Sequence, residues 1–334
     1  MSKTSAGRSR RALLTLAFAG VATTLSACGP PKAPPVEPLK FSILSTENAS
    51  AQRVKWGPFL DDLSKAIGRP IQPFFASSYA PLIEGMRFGQ TDVGWFSNQP
   101  GLEAVRRADS EVFAHTTHPN GHNGYESILI VKKGSGLTLD TVLKCDRTLT
   151  FGMGDAKSTS GTLAPKTYLF EPRGLRPETC FKTVRSASHE ANLLAVANGL
   201  VDAAANNTND IERQERLHNP ALAKLDIIWR SPPLPEDPMV WRKALDPKTK
   251  AALSAAILSY GSAPGAQGEH ERKVLTDLNF GPFKPATNDH LLRVREMEAT
   301  LGAAEAKRSG DAEKAAAFGA ELKAVHDRLA QVGG

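Results

Sequence analysis

Apolar and polar positions alternate along the chain in two rhythms, and together they predict an α/β protein. "LKFSILS" (39–45) is a short apolar run with polar flanks, the pattern of a buried strand. In "RVKWGPFLDDLSKAIG" the residues Val54, Phe59, Leu60, Leu63 and Ile67 fall at helical spacing, with Gly68 as the stop. "IQPFFA" predicts a second strand, "YAPLIEGMRFG" a second helix and "DVGWF" a third strand. This alternation is the grammar of a parallel α/β sheet. "YESILIVKK" (125–133) reads as a long strand that leads out of a first lobe, and the grammar then repeats. "TLTFGMG" is a strand, "GTLAPKTYLFEPRG" a helix, "FKTVRS" a strand, "HEANLLAVANG" a helix and "DAAANN" a strand end, before "LDIIWRSPPL" carries the chain back. The pattern predicts one lobe from 39–127 and 232–288, a second from 128–231, and extended crossovers near 126–131 and 226–231. Residues 289–334, rich in Ala, Glu, Lys, Leu and Arg with a break at Gly310 and Asp311, predict two amphipathic helices. They are expected to cap the first lobe, with a homodimer contact as the alternative.

The first residues belong to a different pattern. Arg8, Arg10 and Arg11 precede an apolar run that starts at Ala12 and ends in "LSAC", the layout of a secretory signal over 1–27. "LSAC" also resembles the lipobox of bacterial lipoproteins, which makes Cys28 the expected lipidated first residue of the mature chain. "SRRALL" resembles a twin-arginine export motif without its usual Phe, so a plain basic region is an equal reading. "GPPKAPPVEP" (residues 29–38) reads as an extended tether. The expected product is an exported lipoprotein held at the membrane through its lipid and facing the periplasm or cell surface.

Charge changes the picture once the signal is removed. The formal net charge is +6, and loss of Lys3, Arg8, Arg10 and Arg11 brings it to +2, which gives no support to a nucleic-acid surface. Of three cysteines, Cys145 and Cys180 remain, either as a disulfide or as two buried thiols. The eight histidines show no metal-binding spacing, so neither metal nor cofactor is expected. "HPNGH" (His118 to His122) reads as a turn carrying a solvated histidine pair.

Candidate chemistry gathers where strands hand over to helices. Tyr79 stands before "APLIEGMRF", Ser158, Thr159 and Ser160 open "GTLAPKTYLF", and Ser188 and His189 open "HEANLLAVANG". Helix starts present unpaired N–H groups and about half a positive charge, so they receive anions. Hydroxyls add donors without the cost of burying a full cation. Each group alone fits ordinary capping or packing; their common position at one end of each strand–helix unit marks a cleft for an anion. The serines with His189 and Asp237 also permit a hydrolase triad. Against it, no G-x-S-x-G elbow is present, and three hydroxyls suit a symmetric oxyanion better than one nucleophile.

The stretches "FSILSTENASAQRVKWGPFLDDL", "FFASSYAPLIEGMRFGQTDVGWFSN", "NGYESILIVKK", "LTFGMGDAKSTSGTLAP", "SASHEANLLAVANGLVDAAANNT" and "PEDPMVWRK" resemble the substrate-binding proteins of bacterial phosphonate ABC importers. The resemblance runs from about Leu39 to Asn288. It implies a type II periplasmic-binding-protein fold whose two lobes close on a phosphonate or related oxyanion such as phosphite, delivered to the importer's permease. Carried over by motif, it implies that Tyr79, Ser158, Thr159, Ser160 and His189 hold the oxyanion, with Tyr125 and Asp237 facing the ligand. Members that bind aminoethylphosphonate have a glutamate just after "NNT", where this sequence has Asn209. A weaker preference for the amine is therefore expected, since Asn209 and Asp237 supply one negative charge instead of two. A sensor that presents its ligand to a partner would use the same cleft.

Overall fold

The computed structural model describes residues 36–122 and 124–332, so the expected signal and the lipidation site Cys28 lie outside the described residues. Among the described residues, eleven strands form two mixed sheets. The first sheet contains β1 (Leu39–Ile43), β2 (Ile71–Phe75), β3 (Val93–Trp95), β4 (Ser110–His115), β10 (Pro238–Arg242) and β11 (Lys284–Pro285), in the order β11-β4-β10-β3-β1-β2. The second contains β5 (Ser127–Lys132), β6 (Thr150–Met153), β7 (Thr183–Ser186), β8 (Ala203–Asn207) and β9 (Leu225–Arg230), in the order β7-β6-β8-β5-β9.

The expected parallel pairs are present: β1 with β2 and β3, and β6 with β7 and β8. The remaining strands are antiparallel. β10 enters the first sheet between β3 and β4, and β5 lies between β8 and β9. Local sequence patterning cannot reveal this, because these strands arrive from the opposite sheet rather than through a local helix.

Helices α1 (Ala49–Ile67), α2 (Ala80–Arg87), α3 (Asn98–Arg107), α8 (Pro247–Ser259) and α9 (Gly265–Leu278) accompany the first sheet's segments. Helices α4 (Leu139–Val142), α5 (Pro177–Cys180), α6 (His189–Ala197) and α7 (Thr208–Arg216) accompany the second's. The segment after β6 winds in two wide π-type turns, Thr159–Leu163 and Pro165–Phe170. Capping follows the sequence. Asn48 accepts from Ala51 N–H at 2.9 Å to start α1, and Gly68, at φ 63°, ends it.

Aromatic clusters fill two of the three apolar cores among the described residues, the third being the aliphatic contact of Ile128 and Ile130 with Leu193 and Val196 of α6. In the first, Trp56 and Phe59 of α1 pack edge-on to each other and against Phe41 of β1 and Trp95 of β3, with Phe280 and Phe283 closing the far side. In the second, Phe151 stacks on Phe181 at 4.4 Å and meets Phe170 edge-on. Truncating a ring such as the fully buried Phe151 to alanine should cost about 3–5 kcal/mol. Cys145 and Cys180 are disulfide-bonded across 35 residues, joining the entry to β6 with the end of α5.

Three positions depart from the sequence reading. The passages between sheets lie at 116–126 and 231–237, while 127–132 and 225–230 are paired strands of the second sheet. Their apolar residues belong to a core, so the chain crosses where prolines and polar residues resume. His118 is buried and pairs with Glu212 of α7, so only His122 of the expected solvated pair is exposed. The C-terminal helices α10 (Leu292–Ser309) and α11 (Ala312–Val332), broken by Gly310 at φ 73°, pack on each other. Besides α3, α10 also touches the 159–170 turns, and Arg308 reaches Glu171 at 2.6 Å, so the cap contacts segments of both sheets.

Candidate functional site

The two crossing segments are bonded to each other at Thr116 and Asp237, and again at Tyr125 and Leu234. Tyr125 and Leu234 exchange backbone hydrogen bonds of 3.0 and 2.7 Å, and Gly124, at φ 108°, lets them approach: a Cβ there would sit 2.5 Å from the Leu234 carbonyl oxygen. Beside this crossing lies a cavity of about 70 Å³. A single water needs about 10–15 Å³, so the space suits a small solute.

The loop 154–161 is shaped by its glycines. Gly154 N–H donates to Gly161 O at 2.8 Å, and a Cβ on either residue would press to within 2.6–2.7 Å of the other's Cα. Asp155 turns the chain by accepting from Lys157 N–H at 2.8 Å, while its other oxygen accepts from Tyr79 N–H at 3.1 Å. The start of α2 is thereby tied to the second sheet's loop. Lys157 does not enter the cavity and pairs with Glu103 at 2.8 Å.

Six of the eight expected ligand positions line the cavity: Tyr79, Tyr125, Ser160, His189, Asn209 and Asp237. Ser158 and Thr159 lie behind it. The Ser158 hydroxyl accepts from Gly161 N–H at 3.0 Å and stands 3.5 Å from His189 Nε2. Thr159 faces the first sheet, with its hydroxyl 2.7 Å from Ser97 Oγ and accepting from Gln99 N–H at 2.8 Å. Ser97 is the N-cap residue of α3 and makes no side-chain cap there, so Thr159 caps that helix from across the cleft. Ser160 is fixed on two sides: its carbonyl accepts from the Ser127 hydroxyl at 2.6 Å and its own hydroxyl accepts from Asn207 Nδ2 at 3.1 Å.

Cations near the cavity are already neutralised. Glu47 pairs with Lys55 at 2.7 Å and with Arg213, and Arg213 also pairs with Asp210. What remains is a set of neutral donors. Burial pushes the His189 imidazole below its usual range, and the Tyr79 and Tyr125 phenols well above theirs, so all three are uncharged near neutral pH. The indole N–H of Trp95 and His189 Nδ1 are buried with no partner among the described residues. Buried donors without partners are costly, and an oxyanion in the cavity would satisfy them.

Sequence reasoning missed Trp95, Asn207, Asn279 and, above all, Glu236. Glu236 lines the cavity beside Asp237, so the site carries a second acidic side chain that the count from Asn209 and Asp237 left out. The Asn209 amide donates to Glu236 Oε2 at 3.2 Å. Burial raises Glu236 to about 7 and Asp237 well above its ordinary value, the latter also through its acidic neighbour. The signal was present in "PEDP", two adjacent acids enclosed by prolines, but only the fold shows both turned inward. The triad alternative fails on geometry. His189 Nδ1, which a triad carboxylate would have to hold, has no partner among the described residues, and Asp237 faces Tyr125 and Glu236.

A family model described as "ABC transporter, phosphonate, periplasmic substrate-binding protein" matches residues 41–291. The phosphonates-binding periplasmic protein of Escherichia coli (strain K12) is 40% identical over 260 residues, covering 78% of this chain and 75% of that protein. A crystal structure of a binding protein component of an ABC phosphonate transporter from Pseudomonas aeruginosa matches with a TM-score of 0.84 at 37% identity, covering 90% of this chain and 99% of that one. PhnD1 from Prochlorococcus marinus (MIT 9301), solved in complex with methylphosphonate, matches with a TM-score of 0.69 over 79% of this chain and 97% of its own; at 22% identity that likeness speaks for the fold alone. The two-lobed architecture is the type II periplasmic-binding-protein fold. By the family model over residues 41–291 and the 40% identical relative, the chain belongs to the phosphonate periplasmic substrate-binding proteins of ABC transporters, which bind a solute for import and are not enzymes.

Proposed function

We propose that this protein captures a small phosphonate in the cavity between its two sheets and passes it to the permease of an ABC importer. The observation that carries this reading is the ring of neutral donors, with every nearby cation already paired. A phosphonate has three equivalent oxygens to satisfy, and Tyr79, Ser160, His189 and the Trp95 indole can each donate one hydrogen bond, while Tyr125 lines the cavity with its hydroxyl against Asp237. Ser158 supports His189, and Thr159 acts on the closed form by capping α3. A hydrogen bond to a charged group contributes about 1.5–3 kcal/mol, so a few such bonds account for tight binding without a buried arginine.

Lobe 1 in this reading comprises 39–127 and 232–288, and lobe 2 comprises 128–231. The two crossing strands, held together at Tyr125 and Leu234, serve as the hinge, and ligand contacts from both sides favour closure. The sequence "LSAC" followed by a proline-rich stretch supports anchoring of the mature protein through a lipid on Cys28, with the domain facing the periplasm. Calorimetry with methylphosphonate, phosphite, phosphate and sulfate tests the function. Binding of a phosphonate at least tenfold tighter than phosphate and sulfate, with the ligand recovered unchanged, is the expected result. Equal or absent phosphonate binding overturns it.

A further inference from the structure

Asn207 ends β8, precedes α7 and lines the cavity, yet the anion-binding reading gives it no role. It stands directly opposite Ser127 of β5 in antiparallel register, which turns the two side chains to the same face of the sheet. Both reach Ser160. The Ser127 hydroxyl donates to the Ser160 carbonyl at 2.6 Å, and Asn207 Nδ2 donates to the Ser160 hydroxyl at 3.1 Å. The strand pair therefore holds one residue of the 154–161 loop by its backbone and its side chain at once.

The direction of the second bond is decided by α7. The oxygen and nitrogen of an asparagine amide have nearly the same shape, and their partners tell them apart. Asp210 N–H donates to Asn207 Oδ1 at 2.7 Å; a backbone N–H can only donate, so the oxygen caps α7 and the nitrogen is the atom turned to Ser160. The backbone of Asn207 is fixed as well, because its N–H donates to Asn206 Oδ1 at 2.8 Å. With one lone pair occupied by Asn207, the single proton of the Ser160 hydroxyl points away from the amide. Ser160 lines the cavity, so that proton is offered to an anion that enters.

We infer that Asn207 is a positioning residue for ligand binding: its oxygen caps α7, and its nitrogen thereby fixes Ser160 as a hydrogen-bond donor toward the ligand's oxyanion. The inference rests on the phosphonate reading above. A free serine hydroxyl turns among its staggered positions and both donates and accepts. Asn207 settles that choice before the ligand arrives, so less freedom is lost on binding, and the bond it donates polarises the hydroxyl. A water in place of the amide can donate or accept and sets no direction.

The test uses the mature chain with methylphosphonate, read by calorimetry, and thermal melts of the ligand-free protein. N207A removes both the cap and the amide donor, so it should lower Tm by about 2–4 °C and weaken binding about three- to tenfold. N207S restores a capping oxygen without the amide donor. It should recover the melting temperature and leave the affinity about three- to tenfold below wild type; N207T carries the same test if N207S fails to fold. S160A alone should cost about ten- to a hundredfold, and adding N207S to it should cost less than about twofold more. Recovery of affinity along with stability in N207S would make Asn207 a helix cap and nothing more. An undiminished loss in the S160A background would mean that Asn207 meets the ligand directly. Either result overturns the inference and leaves phosphonate binding intact, whereas wild type that binds no methylphosphonate overturns the phosphonate reading and the inference with it.

Discussion

Replacing Thr159 by valine tests how the cleft is held shut. The two side chains have nearly the same shape, so the change removes a hydroxyl and little else. That hydroxyl lies 2.7 Å from Ser97 Oγ and receives the α3 N–H of Gln99 at 2.8 Å. Both partners come from the first sheet's side, while Thr159 follows β6 of the second. When the lobes part, water replaces the lost partner, so the penalty falls on the closed state alone. A missing helix cap or an unsatisfied buried N–H costs about 1–2 kcal/mol. That converts to about a 5- to 30-fold loss of apparent affinity for any ligand that needs closure. The loss should be the same for methylphosphonate and for aminoethylphosphonate, because Thr159 lies outside the cavity lining. Thr159→Ser should keep most of the affinity. Calorimetry with both ligands is the assay, and small-angle scattering should show compaction by ligand in the wild type that requires more ligand in the variant. An unchanged affinity for Thr159→Val, or a loss confined to one ligand, would refute the cross-cleft cap.

Further outcomes follow from the chemistry of other positions. Mature protein should begin at Cys28 and partition with membranes, and Cys28→Ala should release it or leave it unprocessed; intact mass showing an unlipidated start elsewhere in residues 20–38 would count against anchoring. Removing the Cys145–Cys180 bond by paired serine substitution should cost about 3–4 kcal/mol through the freed loop, read as a drop in urea midpoint, with ligand affinity unchanged. Glu236 makes stability depend on pH. Its folded value near 7 lies above the ordinary 4.5, so the folded ligand-free protein keeps a proton that the unfolded chain has lost between those values. This group's contribution to stability therefore declines as pH rises from about 4.5 to 7 and levels off above, and thermal melts of E236Q should show a shallower decline than wild type.

The periodicities of "LKFSILS", "RVKWGPFLDDL" and "TLTFGMG" were enough to assign the parallel strand–helix units, because buried faces impose their spacing directly on the sequence. They also located the loops where Tyr79, Ser160 and His189 stand, since ligand sites in such sheets follow strand ends. Other decisions were made only by contacts between distant segments. β10 reads locally like any apolar run, and its antiparallel insertion beside β3 depends on where the chain re-enters the first sheet. Thr159 and Ser160 are adjacent and chemically alike, yet one faces α3 and the other the cavity. Asn209 by itself suggested a lost charge. Only the crossing of residues 231–237 past α7 brings Glu236 to its amide and returns a carboxylate to the cavity. A sequence fixes what each residue can do within a few neighbours along the chain; which partner meets a buried hydroxyl or carboxylate depends on packing between segments far apart in it.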